Sequence, residues 1–331
     1  MKNIFYKYLI LLINKTSIMV GGQAVIEGVM MRVPGYYATA VRNPNGEISI
    51  KRKKYIPLVE RLNLTKFPII RGFLHLVDSM KVGFSTLEWS GQIAEEESNN
   101  ENSILSFIMT ICSIAFTIML FMGIPYLLTE YFQKNFLHSI TINQELIFNL
   151  IAGMIRMSLF ICYLYILSTL KDIKRLFQYH GAEHKVVYNF ESGKKLNIEN
   201  AATFSTKHPR CGTSFVFILM LVTILTYSIT DSFISVIFHY EFSIITRVLI
   251  HLLFLPLIAG IGYEVLKFLS TKQHILFFNL LSKPGLWLQN ITTSEPTSDQ
   301  LEVSLTALKT AFGDEEIHRL EGKEFNADAI G

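Results

Sequence analysis

Four stretches of the chain are almost continuously apolar: about Ile104 to Leu128, Leu146 to Leu170, Thr213 to Phe238, and Ile244 to Leu269. A helix rises about 1.5 Å per residue, so about 20 apolar residues cross the roughly 30 Å hydrocarbon core of a bilayer. The pattern therefore predicts four transmembrane helices. A buried helical core is the alternative, but runs this long and this poor in charge are rare in soluble folds.

The flanking sequence is patterned differently. Ala38 to Arg42 and Glu47 to Lys51 read as strands around Asn43-Pro44-Asn45-Gly46, and Asn-Gly is a strong hairpin signal. Pro68 to Ser90 reads as a helix with Ile69, Phe73, Leu76, Val77, Met80 and Phe84 on one face. Glu95 to Glu101 reads as an acidic linker into the first span. After Pro284, a helix is expected around Leu301, Leu305 and Leu308, with Asp299 as its cap. The last dozen residues read as loose. Tyr6 to Ile13 is apolar but too short to span, and it lacks a small-residue cleavage site. It is expected to be interfacial, with Met19 as an alternative start.

Together these elements predict an α-helical integral membrane protein with a small cytosolic α+β portion. An N-terminal extension (1–19) precedes a hairpin-and-helix region (20–103). Spans follow at 104–128, 146–170, 213–238 and 244–269. A motif-bearing loop occupies 171–211 and a C-terminal region 270–331.

Charge adds an orientation. Lys and Arg number thirteen in residues 1–103, eight in 171–211 and six from 267 onward. The connection 130–145 carries only Lys134, and 231–243 carries none. Basic residues stay on the cytoplasmic side, so both termini and the 171–211 loop are expected there, or in the stroma of a plastid. Lys51 to Lys54 is a basic run that reads as a solvated strand end or a contact for anionic headgroups. The net charge of +3 is too small to argue for nucleic acid. Charged residues make up 17% of the chain, below the roughly one quarter of soluble domains. Expected partners are the bilayer and a protein at the cytosolic face. Cys112 and Cys162 lie in apolar runs, and no disulfide framework is indicated.

Charges inside the spans are functional suspects. Arg156 falls in the second span, and Arg247 and His251 are four apart on the fourth. Glu264 lies near the inner end of the fourth, where Lys267 is an available partner. Inter-helix pairing and a polar path are both open readings.

Candidate chemistry concentrates at Tyr179-His180-Gly181-Ala182-Glu183-His184. Histidines four apart share one helix face. They can hold one metal ion, and the glutamate between them can act as general base on water there, the spacing of inverted zincin sites. Gly181 weighs against a regular helix. His208 is the preferred third ligand, with Cys211 next, both in His208-Pro209-Arg210-Cys211-Gly212. Glu191 lies about 10.5 Å along the helix from His184 and would join only if the helix broke. A second candidate region is Gly21 to Arg32. There Glu27 could supply a carboxylate, or Gly21, Gly22 and Gly28 could merely permit tight turns.

Four blocks in order carry a resemblance: Gly21 to Arg32, His180 to Lys185, His208 to Phe215, and Pro284 to Gln289 with Thr292-Thr293 and Glu295-Pro296. They resemble the YqhQ-like family of bacterial and plastid-lineage membrane proteins, from about Val20 to Phe312. Members are labelled as predicted metal-dependent enzymes of unknown function, which implies metal at the histidine block and supplies no substrate. Ser294 stands where the family pattern carries a basic residue.

The leading expectation is a membrane-bound protein that binds a divalent metal, zinc first, and acts as a hydrolase. His180 and His184 would be ligands, His208 or Cys211 would complete the set, and Glu183 would be the base. A non-catalytic scaffold or assembly factor with a structural metal is the alternative, and a small transporter a weaker one.

Overall fold

The structure is a computed structural model that describes residues 20–94, 103–136, 144–209, 211–239, 242–271 and 276–320. The N-terminal extension, the acidic linker and the loose C-terminus expected from the sequence fall outside the described residues.

The first 35 described residues form an antiparallel meander in the order β1-β2-β3-β4: β1 Gly21–Val25, β2 Gly28–Val33, β3 Tyr36–Arg42 and β4 Ile48–Lys54. The β3–β4 hairpin closes where the sequence places it. Asn43 N–H donates to the Glu47 carbonyl at 2.9 Å, and Gly46 takes a φ of +88°. Of the alternatives for Gly21 to Arg32, tight turns at Gly21, Gly22 and Gly28 are not what forms; the segment is β1 and β2. Gly21 and Gly22 pair with Arg32 and Met31 inside the sheet. The positive φ of the connecting turn falls on Glu27, at +52°.

Helices follow: α1 Leu58–Arg61, α2 Pro68–Ala94, α3 Ser103–Ile118, a π-helical turn Met119–Gly123, α4 Ile124–Phe136 and α5 Gln144–Ser168. Then come α6 Lys171–Glu191, α7 Ile198–Ala202, α8 Gly212–Phe238, α9 Ile244–Thr271, α10 Leu276–Thr292, α11 Ser298–Phe312 and α12 Asp314–Leu320. Four helical runs are long and apolar enough to cross a membrane: Phe107–Asn135, Gln144–Ser168, Val216–Phe238 and Ile244–Leu269. The first reaches two turns past its expected end because the helix continues through an i,i+4 pair, Glu130 with Lys134 at 2.6 Å. These helices turn apolar side chains outward; Phe107 is 66% exposed and Leu253 78%. A soluble helical core would bury such groups.

The 171–211 segment is not a loop. It is mostly α6, which packs with α11 on the meander. Their core joins Val29, Met31 and Ala40 of the sheet to Tyr179, Val186 and Phe190 of α6 and Leu305 and Leu308 of α11. Thr297, not Asp299, caps α11. Gln300 N–H donates to the Thr297 hydroxyl, and Thr297 N–H donates to the Gln300 carbonyl at 2.9 Å, a capping box.

The charged residues of the spans pair between helices. Arg247 meets Asp231 at 2.6 Å and Glu145 at 2.8 Å. His251 Nε2 lies 2.8 Å from the other Asp231 oxygen, and its Nδ1 pairs with the Tyr126 hydroxyl. Asn149 donates to Asp231 at 2.9 Å, and Tyr227 stacks on His251. Asp231 and His251 are fully buried. Arg156 donates from Nε to the Phe121 carbonyl in the π-helical turn at 2.7 Å. Glu264 pairs with Arg71 of α2 at 2.6 Å, a partner from another helix.

Candidate metal centre

The centre is built on α6, which runs unbroken through Gly181. The glycine serves an approach from elsewhere in the chain. Ser294 N–H donates to the Phe177 carbonyl at 2.9 Å, and a Cβ at residue 181 would run into the Ser294 carbonyl. The expected weakness at Gly181 is therefore a docking point for residues 292–294.

That docking fixes a histidine. The His180 Nδ1 lies 2.8 Å from the Thr292 carbonyl. A carbonyl oxygen can only accept, so Nδ1 carries the proton and Nε2 presents its lone pair. The same logic holds one turn along, where His184 Nδ1 lies 2.5 Å from the Thr206 carbonyl. Both imidazoles are thus held in one tautomer by backbone acceptors, as metal-ligating histidines usually are.

The His180 Nε2 shares its space with a thiol. His180 Nε2 is 3.1 Å from Cys211 Sγ. Among the described residues, one ligand atom from each of His180, His184 and Cys211 lies within 4.8 Å of the others. Bonds of about 2.0 and 2.3 Å at a tetrahedral angle put N and S roughly 3.5 Å apart, so the set needs small adjustments to close on a zinc ion. Cys211 immediately precedes α8.

His208 stands beside this trio. Its ring centroid is 5.6 Å from that of His184, and its Nε2 is 3.7 Å from Glu191 Oε1. The Gln289 side chain grips its backbone, accepting from His208 N–H at 2.8 Å and donating to its carbonyl at 2.9 Å. The sequence ranked His208 above Cys211; the geometry brings Cys211 into the trio and sets His208 against Glu191. Because α6 does not break, Glu191 joins the neighbourhood through His208.

Glu183 is buried between α6 and β1, with Oε2 3.4 Å from His184 Nε2. It accepts the Gly22 backbone N–H, and a Cβ at residue 22 would stand 2.7 Å from Glu183 Cγ. A glycine strand is what lets the sheet touch this carboxylate. Burial pushes the Glu183 carboxyl up to about 7; His180 and the Gly22 N–H pull it down, and Glu191 adds a smaller push upward. Glu27 lies apart from the trio. Its carboxylate is held by Arg175, at 2.5 Å from the terminal nitrogen, and by the Tyr179 hydroxyl at 3.3 Å. Burial, reinforced by that carboxylate, holds the Tyr179 hydroxyl well above its usual range.

Sequence reasoning gave no role at the site to Gly22, to Gln289, or to the carbonyls of Thr206 and Thr292. It also missed the tie from Lys185 to Glu295, at 2.5 Å. The stretch 290–294 further lines a cavity of about 290 Å³ with Tyr165, Ser168, Thr169 and Lys174.

Fold and site together define a mainly helical protein. It has four helices long and apolar enough to span a membrane, and a His-His-Cys cluster buttressed by a glutamate beside a small sheet. The chain belongs to the DUF1385 family, described as a protein of unknown function, whose model matches residues 67–314. It is 32% identical over 305 residues to the uncharacterised protein YqhQ of Bacillus subtilis (strain 168), covering 86% of this chain and 89% of that protein. No solved structure matches.

Proposed function

We propose that this is a multi-pass membrane protein that holds a divalent metal, zinc first, at His180, His184 and Cys211, and uses it hydrolytically. The observation that carries the reading is the cluster in which His180, His184 and Cys211 each bring one ligand atom within 4.8 Å of the others, with the carbonyls of Thr292 and Thr206 engaging the two Nδ1 atoms. The outward-facing apolar spans support a bilayer as surroundings. The distribution of basic residues supports a cytosolic or stromal position for the centre.

Zinc held by three protein ligands keeps an open position, acts as a Lewis acid and lowers the pKa of water to near 7. Glu183 takes a proton at Oε2 from water and returns it to the leaving group; a carboxylate whose pKa lies near 7 suits that exchange. Gly22 N–H and the packing of β1 orient the carboxylate. His208, with Glu191 behind it, stands close enough to steady a polar substrate or complete the ligand set.

A second reading has one observation of its own. Cys211 opens α8 while the histidines lie on α6, so an ion there would clip a span to the cytosolic layer without catalysis. Glu183→Gln separates the two. In the hydrolytic reading, chelator-sensitive cleavage of a panel of ester, amide and phosphoester substrates falls by about 10²–10⁴ while metal content holds. Activity that survives the change, or the absence of any chelator-sensitive cleavage, favours the clip.

A further inference from the structure

α2 packs through its smallest residues and turns its large apolar ones outward. Gly72 lies against the Gly260 carbonyl and Tyr263 of α9, and Gly83 against the Gln23 side chain of the sheet. Thr86 and Ser90 complete that buried stripe, and Ser90 accepts the Ile26 N–H. The neighbouring sector carries Ile69, Ile70, Val77, Met80 and Phe84, exposed by 37% to 66%. From Ile69 to Phe84 is about 23 Å of helix, so this apolar stripe is too extended to count as scattered surface residues.

The place where α2 meets α9 says what covers it. From Ile244 to Gly260 is about 24 Å of helical rise, and to Glu264 about 30 Å, the thickness of a hydrocarbon core. Ile69 lies on Gly260, and Arg71 pairs with Glu264 at 2.6 Å. α2 therefore starts at the depth where α9 leaves the core, and α9 itself exposes Leu253, Leu257 and Phe268. The chain from residue 53 to 94 exposes Lys53, Lys54, Arg61, Lys66 and Lys81 against Glu60 and Glu88, an excess of positive charge.

We infer that α2 is an interfacial helix whose apolar face is buried in the lipid leaflet beside the inner end of α9, under headgroups of negative charge. This rests on the reading of α9 as a span. It gives α2 a role: it joins the bilayer surface to β1, the strand that touches Glu183, and so anchors the centre at the membrane surface. An apolar helix face beside basic residues is a combination that binds anionic lipid; here Lys53, Lys54, Arg61 and Lys66 lie just ahead of α2.

Tryptophan quenching in the full-length protein tests this. The background is Trp89→Phe with Trp287→Phe, and Met80→Trp, Phe84→Trp, Ser85→Trp and the span control Phe233→Trp are made singly. Each is reconstituted in vesicles of brominated phosphatidylcholine containing phosphatidylglycerol. Acyl-chain bromine is expected to quench the probes at 80, 84 and 233 about twofold or more and to leave the probe at 85 nearly unaffected. Replacing phosphatidylglycerol by unbranched neutral lipid is expected to weaken quenching at 80 and 84 but not at 233. Quenching at 233 without quenching at 80 and 84 overturns the inference while the spans stand, and points to a protein or a second copy on that face. Equal quenching at 84 and 85 also overturns it, since the helix would then sit within the core. Loss of quenching at all positions, 233 included, removes the membrane reading itself. Indifference to headgroup charge overturns the anionic part.

Discussion

Asp231→Ala is expected to destabilise the helical bundle by about 3–5 kcal/mol, the cost of removing one partner from a buried ion pair. Asp231 is fully buried and serves three neighbours at once: Arg247, His251 and Asn149. Alanine would leave the Arg247 guanidinium with Glu145 alone and strip His251 Nε2 of its acceptor. Little else in an apolar bundle can replace those contacts. Thermal unfolding in detergent should show a large drop in midpoint for Asp231→Ala. Asp231→Asn, which keeps shape and one acceptor, should fall between it and the unmodified protein. Replacing Asp231 and Arg247 together by apolar residues of similar size should recover much of the loss, because the unpaired charge is then gone. A midpoint unchanged in Asp231→Ala would contradict the network.

His184→Ala should weaken zinc binding by well over about 100-fold. Removing an outer-shell partner of a metal ligand already costs 10–100-fold, and a ligand matters more. His184 is buried and positioned by the Thr206 carbonyl, while the neighbouring His208 is held through its backbone by Gln289 and set against Glu191. Competition against a chromophoric chelator measures the change. Glu191→Ala, on the His208 side, should weaken binding far less. Equal losses for the two variants would shift the centre toward His208.

The four long apolar helices were legible because length and hydropathy need no partner to be read. The β3–β4 hairpin was legible because Asn45-Gly46 dictates its own turn. The β1–β2 pair was not, since its turn places positive φ on Glu27, where sequence rules look for Gly, Asn or Asp. The spacing of His180 and His184 announced their common face, but two facts about them came from far away in the chain. Gly181 looked like a helix fault until Ser294, more than a hundred residues later, was found against it. That Cys211 joins the two histidines was also out of local reach, and so was the hold of Gln289 on the His208 backbone. Glu264 gave the same lesson in the spans: its helix neighbour Lys267 was the local choice, and Arg71 of α2 the tertiary one.

Cobalt substitution tests the central claim most directly, because zinc is d¹⁰ and gives no visible spectrum. The purified full-length protein, stripped and titrated with Co²⁺, should develop absorption that saturates at about one equivalent per chain, as one three-ligand site requires. It should include a thiolate-to-cobalt charge-transfer band. In Cys211→Ser that band should vanish while weaker ligand-field absorption from a histidine site remains. A protein that shows no saturable cobalt spectrum, or one whose spectrum is the same with and without Cys211, would contradict a centre formed by His180, His184 and Cys211.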